Sequence, residues 1–216
     1  MFQLDGASAS YNGHAVLTDL KLKISRGERV ALVGRSGAGK STLLGMLYEQ
    51  QKDNAALIPQ DSSLVKTLSV FHNVYMGRLH CHGSFYNLRN LVSPRRAEID
   101  RVREITDKLG ISEKMFEPVG QLSGGQQQRT AVGRALFCGR DVALGDEPVS
   151  SVDEHQSREI LRILNESHET VVLAMHDMAL ALEFTDRVIG LKDRRIVLDE
   201  ASSDLTTSDL ARIYKA

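Results

Sequence analysis

The residues Gly34-Arg35-Ser36-Gly37-Ala38-Gly39-Lys40-Ser41, followed by Thr42, are spaced to hold a chain of phosphates. Glycines let successive backbone N–H groups turn inward and cradle phosphate oxygens. A helix starting near Lys40 adds its positive dipole end. The Lys40 ammonium can reach the β and γ phosphates, and the Ser41 hydroxyl can ligate Mg²⁺. Further along, Val142-Ala143-Leu144-Gly145-Asp146-Glu147 is an apolar strand ending in two carboxylates. Beside a phosphate loop, Asp146 is the expected Mg²⁺ anchor. Glu147 is the candidate to orient and deprotonate an attacking water. A third stretch, Leu122-Ser123-Gly124-Gly125-Gln126-Gln127-Gln128-Arg129, has the spacing of a capped helix start. Ser123 caps, Gln126 three residues on completes a capping box, and Gly124 and Gly125 bare the first-turn N–H groups to an anion.

These groups need a scaffold. Leu20, Leu22 and Ile24 alternate with Lys21 and Lys23, the period-2 signature of a half-buried antiparallel strand. Arg29 to Val33, Asp141 to Gly145, Thr170 to Ala174 and Arg187 to Leu191 read as fully buried strands. Helical patterns at Lys40 to Glu49, Glu154 to Ser167 and Met178 to Phe184 lie between them. Buried strands alternating with helices predict a parallel sheet covered on both faces. Residues 66–140 break that rhythm. There Ile99, Val102, Ile105 and Leu109 fall at helical spacing before Gly110, so the region reads as a helical insertion. The expected organisation is one domain, with an α/β core from residues 1–65 and 141–216 and a helical subdomain over about 66–140 that ends in the Ser123 motif.

Composition narrows the partners. The 216 residues carry 27 Lys and Arg against 28 Asp and Glu, a net charge of −1, which argues against a nucleic-acid binder. Two cysteines, Cys81 and Cys138, make no disulfide framework and favour a reducing compartment. The first residues lack the basic and apolar regions of a secretory leader, and no apolar run approaches the length needed to span a bilayer. Any membrane role therefore falls to another chain.

With all three motifs in order, the chain resembles the ATP-binding-cassette ATPases over its whole length. The resemblance implies a P-loop NTPase α/β fold with a mostly parallel sheet, an antiparallel β subdomain and a helical insertion. It also assigns further positions. Tyr11 matches the aromatic that stacks on adenine, and Gln60 matches the glutamine that senses Mg²⁺ and links to the partner. Ser150-Ser151-Val152-Asp153 looks like the loop contacting an opposite subunit, and His176 matches the switch histidine at the γ-phosphate. The resemblance further implies ATP and Mg²⁺, and a head-to-tail homodimer in which Ser123-Gly124-Gly125 closes the partner's phosphate loop. Transmembrane permease subunits, a substrate-binding protein and a cytoplasmic position on the inner face of the membrane follow from it, with the permease docking near Phe71, Tyr75, Phe85 and Tyr86.

Val74 to Leu79, Ser84 to Val92, Arg187 to Leu191, Asp204-Leu205 and Asp209 to Tyr214 are similar to the phosphonate-import branch. Two features depart from the family. Only Gly45 to Pro59 separates the phosphate-loop helix from Gln60, so the antiparallel β subdomain should be abbreviated. Lys192-Asp193-Arg194-Arg195 lacks the glycine of a tight hairpin, which predicts a longer or strained turn. His80-Cys81-His82 lacks a second ligand pair and reads as a surface loop, and Cys138 reads as a small buried residue. The competing functions are a soluble cassette clamp on nucleic acid or ribosomes, and an ATPase coupled to membrane proteins for lipoprotein release or cell division. The absence of an Asn-Lys-x-Asp tetrapeptide disfavours GTP.

Overall fold

The computed structural model describes residues 1–11 and 13–214. The chain opens with a two-stranded antiparallel ribbon of β1 (Phe2–Tyr11) and β2 (His14–Ile24). Leu20, Leu22 and Ile24 are buried along β2 while the lysines between them face water, as their alternation predicts. The ribbon is the antiparallel β subdomain, reduced to two strands.

A second sheet has six strands in the order β4-β5-β6-β3-β7-β8. They are β3 (Arg29–Val33), β4 (Ala55–Ile58), β5 (Val142–Asp146), β6 (Thr170–Ala174), β7 (Arg187–Lys192) and β8 (Arg195–Ala201). Every neighbouring pair is parallel except β7 with β8. Strands β5 and β6 are buried throughout because both faces are covered. Val30, Leu32, Leu144 and Val172 point to one face, against the ribbon and α1 (Lys40–Gln51). Ala31, Val33, Ala143 and Leu173 point to the other, against α6 (Glu154–Ser167), α7 (Met178–Phe184) and α8 (Thr207–Tyr214).

The region after β4 holds α2 (Val70–Tyr75), a 3-10 turn over Met76–Cys81, α3 (Ser84–Val92), α4 (Arg96–Lys108) and α5 (Gly124–Cys138). α4 ends before Gly110, whose φ of 62° suits a helix stop. A separate core of Phe71, Val102, Met115 and Val132 joins these helices to Ala56 and Ile58 of β4. Phe71 and Tyr75 belong to this core, contrary to their expected place on a docking surface. Phe85 is 83% exposed, and Tyr86 is half-buried with its hydroxyl on Glu98.

The β7–β8 hairpin takes the strained of its two expected forms. Its turn is no longer than two residues, with Lys192 paired to Arg195 and positive φ at both Asp193 (50°) and Arg194 (66°). The Thr18 N–H donates to the Arg194 carbonyl at 2.9 Å, anchoring the tight turn on β2 and holding an arginine where glycine is favoured. Arg194→Gly should therefore raise stability by about 0.5–1 kcal/mol, the left-handed cost less the entropy glycine loses on folding. Urea unfolding midpoints measure it, and an unchanged midpoint would show that the turn stores no strain.

His168 gives a pH-dependent term. It caps the end of α6, buried, with its Nδ1 3.1 Å from the Leu164 carbonyl. Burial pushes its pKa below the ordinary histidine value of 6.5, and the Leu164 carbonyl opposes this only in part. The folded state thus binds the proton less readily than the unfolded chain, so stability is fully present above about pH 6.5 and falls as pH drops below it. The unfolding midpoint of His168→Gln should fall less between pH 7.5 and 5.5 than that of the native chain.

Candidate nucleotide site

Parallel register brings the functional loops together. Leu32 and Asp146 both pair with Ala174, and Ile58 pairs with Gly145, so the carboxyl ends of β3, β4, β5 and β6 fall nearly level. The phosphate loop leaves β3, Gln60 follows β4, Glu147 follows β5 and His176 follows β6. Ligands of open α/β sheets bind at this edge.

Two glycines in the phosphate loop are required by geometry. Gly34 sits at φ 150°, and a Cβ there would collide with the Leu191 carbonyl on β7. Gly39 caps α1 at φ 100°, and a Cβ would stand 2.6 Å from Leu17 Cδ2 on β2. The ribbon therefore buttresses the loop from beneath. Arg35, Ser36, Gly37 and Ser41 are exposed, Ala38 and Thr42 partly so. Lys40 is only 6% exposed, and its ammonium donates to the carbonyls of Gly34 (2.8 Å) and Arg35 (3.3 Å). Burial lowers its pKa, while Glu147 and Asp146 work in the opposite direction.

Asp146 ends β5 at 8% exposure, and its Oδ1 has no hydrogen-bond partner among the described residues. A buried carboxylate oxygen left open in this way is the kind of oxygen acceptor that a hydrated divalent cation uses, and it lies close enough to Lys40 to act on its ammonium. Glu147 follows at φ 54°, a conformation uncommon for a residue with a Cβ. Its Oε1 lies 2.6 Å from His176 Nε2. The pair opens onto a cavity of about 350 Å³ that Val152, Ser157 and Leu180 also line.

The Ser123 motif forms the start of α5. Its capping box is complete: Ser123 Oγ accepts from the Gln126 N–H at 3.3 Å, and Gln126 Oε1 accepts from the Ser123 N–H at 3.0 Å. Ser123 and Gly124 are exposed. The start of α5 packs on the Ser151 turn, where a Cβ at Gly125 would lie 2.9 Å from the Ser151 carbonyl. Asp153 is exposed and caps α6, accepting from the Gln156 N–H at 2.9 Å. Gln60 is exposed in the turn after β4, and the side chain of Tyr11, at the end of β1, lies outside the described residues.

Two groups at the site were not read from the sequence as site residues. Gln128, buried in α5, binds the backbone around Glu147. Tyr214 of α8 reaches across the chain to accept from the Gly34 N–H at 3.2 Å. The run of three glutamines was visible, but which of them turned inward was not. His80-Cys81-His82 forms no metal site among the described residues, since Cys81 approaches His80 while His82 turns towards Glu98.

The fold and the convergence of phosphate loop, acidic strand end and histidine define the class: the chain belongs to the ABC transporter family, whose model matches residues 17–150, and it is an ABC ATPase. It is 35% identical to a phosphonates import ATP-binding protein of Anaeromyxobacter dehalogenans over 99% of its length, and spans about half (48%) of that relative. It is likewise 35% identical to a phosphite import ATP-binding protein of Stutzerimonas stutzeri, covering 99% of the chain and 87% of that protein. A macrolide export ATP-binding/permease protein of Shewanella oneidensis is 38% identical over 92% of the chain, which spans 33% of it. Among solved structures, the cassette MJ0796, a dimer in a post-hydrolysis state bound to ADP and Pi, superimposes with a TM-score of 0.80 at 26% identity, covering 93% of this chain and 98% of that one. No helix of the described residues is long and apolar enough to cross a membrane.

Proposed function

We propose that the chain is the ATP-hydrolysing subunit of an importer for phosphonate, phosphite or a related small oxyanion. Residues 1–65 and 141–216 serve as its catalytic core and 66–140 as its coupling subdomain. The observation that carries this reading is the likeness, over 99% of the chain, to import ATP-binding proteins for those two anions. Backbone N–H groups of the loop that runs from Gly34 to Ser41, beyond the Gly34 N–H held by Tyr214, and the Lys40 ammonium hold the β and γ phosphates of ATP, with Thr42 beside them and Tyr11 stacking on the adenine. Ser41, Gln60 and, through water, Asp146 would hold Mg²⁺, which neutralises charge on the phosphate oxygens. Glu147 accepts the proton of the attacking water, while His176 orients that carboxylate and meets the γ-phosphate.

Ser123, Gly124, Gly125 and Gln126 of a second copy complete the site, with the exposed Asp153 turn contacting that copy. This uses the exposed start of α5, where Ser123 and Gly124 face solvent. Permease subunits dock where α2, the Met76 turn and α3 leave an apolar cavity of about 520 Å³ lined by Leu68, His72, Met76, Leu79, Leu88 and Leu91. Through them the chain sits on the inner face of the membrane, beside a substrate-binding protein outside it. Gln60→Ala should leave ATP binding intact but cut transport-coupled hydrolysis about 10-fold, because Gln60 joins the sheet to the docking region. Measurement of nucleotide affinity and stimulated turnover checks this.

Uptake of labelled methylphosphonate and phosphite by cells with and without the gene tests the substrate. Loss of either uptake supports import. Unchanged uptake with loss of macrolide tolerance favours the second reading, an exporter-type ATPase, which the 38% identity to the macrolide export protein keeps open.

A further inference from the structure

Gln128 lies one helical turn inside α5, at 7% exposure, with every polar atom of its side chain committed. Its Nε2 donates to the Glu147 carbonyl at 2.7 Å and to Ser150 Oγ at 3.3 Å, and its Oε1 accepts from the Ser151 N–H at 2.7 Å. One carboxamide thus spans three pieces of the site: the helix whose first turn is the Ser123 motif, the backbone of the candidate base, and the Ser150-Ser151 turn. Glu147 is the residue of this set that sits in the left-handed region, at φ 54°, and such a conformation persists only where its surroundings over-determine it. Its backbone is pinned on both sides, by the N–H on the Ala174 carbonyl at 3.1 Å and by the carbonyl on Gln128. Gly125, three residues before Gln128, lets α5 lie close on Ser151, so helix and turn move as one body.

We propose that Gln128 is a positioning residue that holds the Glu147 backbone so that its carboxylate faces the γ-phosphate only when α5 is correctly seated on the Ser150-Ser151 turn. The proposal rests on Glu147 being the general base. It makes closure of the second subunit on the Ser123 motif and alignment of the base a single mechanical event, with the carboxamide as the link. Both polar atoms of the Gln128 side chain are committed to Glu147, Ser150 and Ser151, so its removal leaves ATP binding alone and misplaces the proton acceptor. A misplacement of the order of 1 Å costs up to roughly 10²-fold in rate.

Gln128→Met keeps the side-chain volume and removes both kinds of hydrogen bond. Gln128→Glu retains an acceptor for the Ser151 N–H but sets an oxygen against the Glu147 carbonyl. In the full chain at saturating Mg-ATP, both should lower kcat per folded molecule roughly 10- to 100-fold with KM for ATP near that of the native chain, while the unpaired Glu147 carbonyl lowers the unfolding midpoint without unfolding the chain at assay temperature. In a Glu147→Gln background, Gln128→Met should lower kcat no further. Native kcat in both variants while Glu147→Gln is inactive overturns the clamp and leaves the base in place. Full activity of Glu147→Gln overturns the base, and the clamp with it. A fall in kcat matched by an equal loss of folded protein assigns Gln128 to packing and also overturns the proposal.

Discussion

Lys40→Ala is expected to abolish ATP hydrolysis and to weaken nucleotide binding roughly 10- to 100-fold, the worth of one or two hydrogen bonds to a charged group. Lys40 starts α1 buried under the loop, with its ammonium fixed between two carbonyls of that loop and drawn towards Asp146 and Glu147. Alanine leaves the loop backbone free to bind phosphate weakly but removes the only buried Lys or Arg among the described residues. The Gly34 and Arg35 carbonyls also lose their partner, at a cost to stability of about 1 kcal/mol. Arginine should not restore function, because a planar guanidinium cannot replace a compact ammonium in that space. Titration with a fluorescent nucleotide and phosphate-release assays read the two effects separately. Hydrolysis near the native rate would refute the role given to the loop.

Glu147→Gln is expected to lower turnover by a factor on the order of 10² or more while leaving ATP bound. The amide keeps the shape and still hydrogen-bonds a water, but it accepts no proton. The contacts of Lys40, Ser41 and the opposing Ser123-Gly124-Gly125 remain, so the variant should accumulate as an ATP-dependent dimer. Adding Ser123→Arg should dissolve that dimer, since a bulky chain fills the exposed α5 start, and monomeric ATP binding should survive. Light scattering with and without ATP distinguishes these states. A variant that stays monomeric at saturating ATP counts against the two-chain site. Full turnover excludes Glu147 as the base and leaves His176, 2.6 Å away, as the next candidate.

Much of the site was legible because its chemistry is local in the chain. The glycines from Gly34 to Gly39, the capping box from Ser123 to Gln126 and the apolar run ending at Asp146-Glu147 are each a few residues long. Each spacing constrains the backbone by itself. The buried strands were legible for a similar reason, since unbroken apolar runs such as Thr170 to Ala174 need cover on both faces. Length alone could not reveal β4 as a strand, because Ala55–Ile58 offers four residues and no alternation.

Strand order belonged to the tertiary structure. Placing β6 between β3 and β5 sets His176 against Glu147, a pairing between residues 29 apart in the chain that neither motif implies. Packing also decided which aromatic residues were core: Phe71 and Tyr75 look as suited to a surface as Phe85 until α4 and α5 close over them. The hairpin at Asp193-Arg194 shows the same limit, as local preference left a longer or a strained turn open and the bond from Thr18 on a distant strand accompanies the strained one. Gln128 is one of three consecutive glutamines with the same local chemistry, and only the helical rotation that turns it onto Glu147 and Ser151 gives it a distinct place. The sequence alone determined which groups could bind phosphate, cap a helix or move a proton. Which of them meet was decided by long-range pairing and burial, whose energies depend on partners far away in the chain.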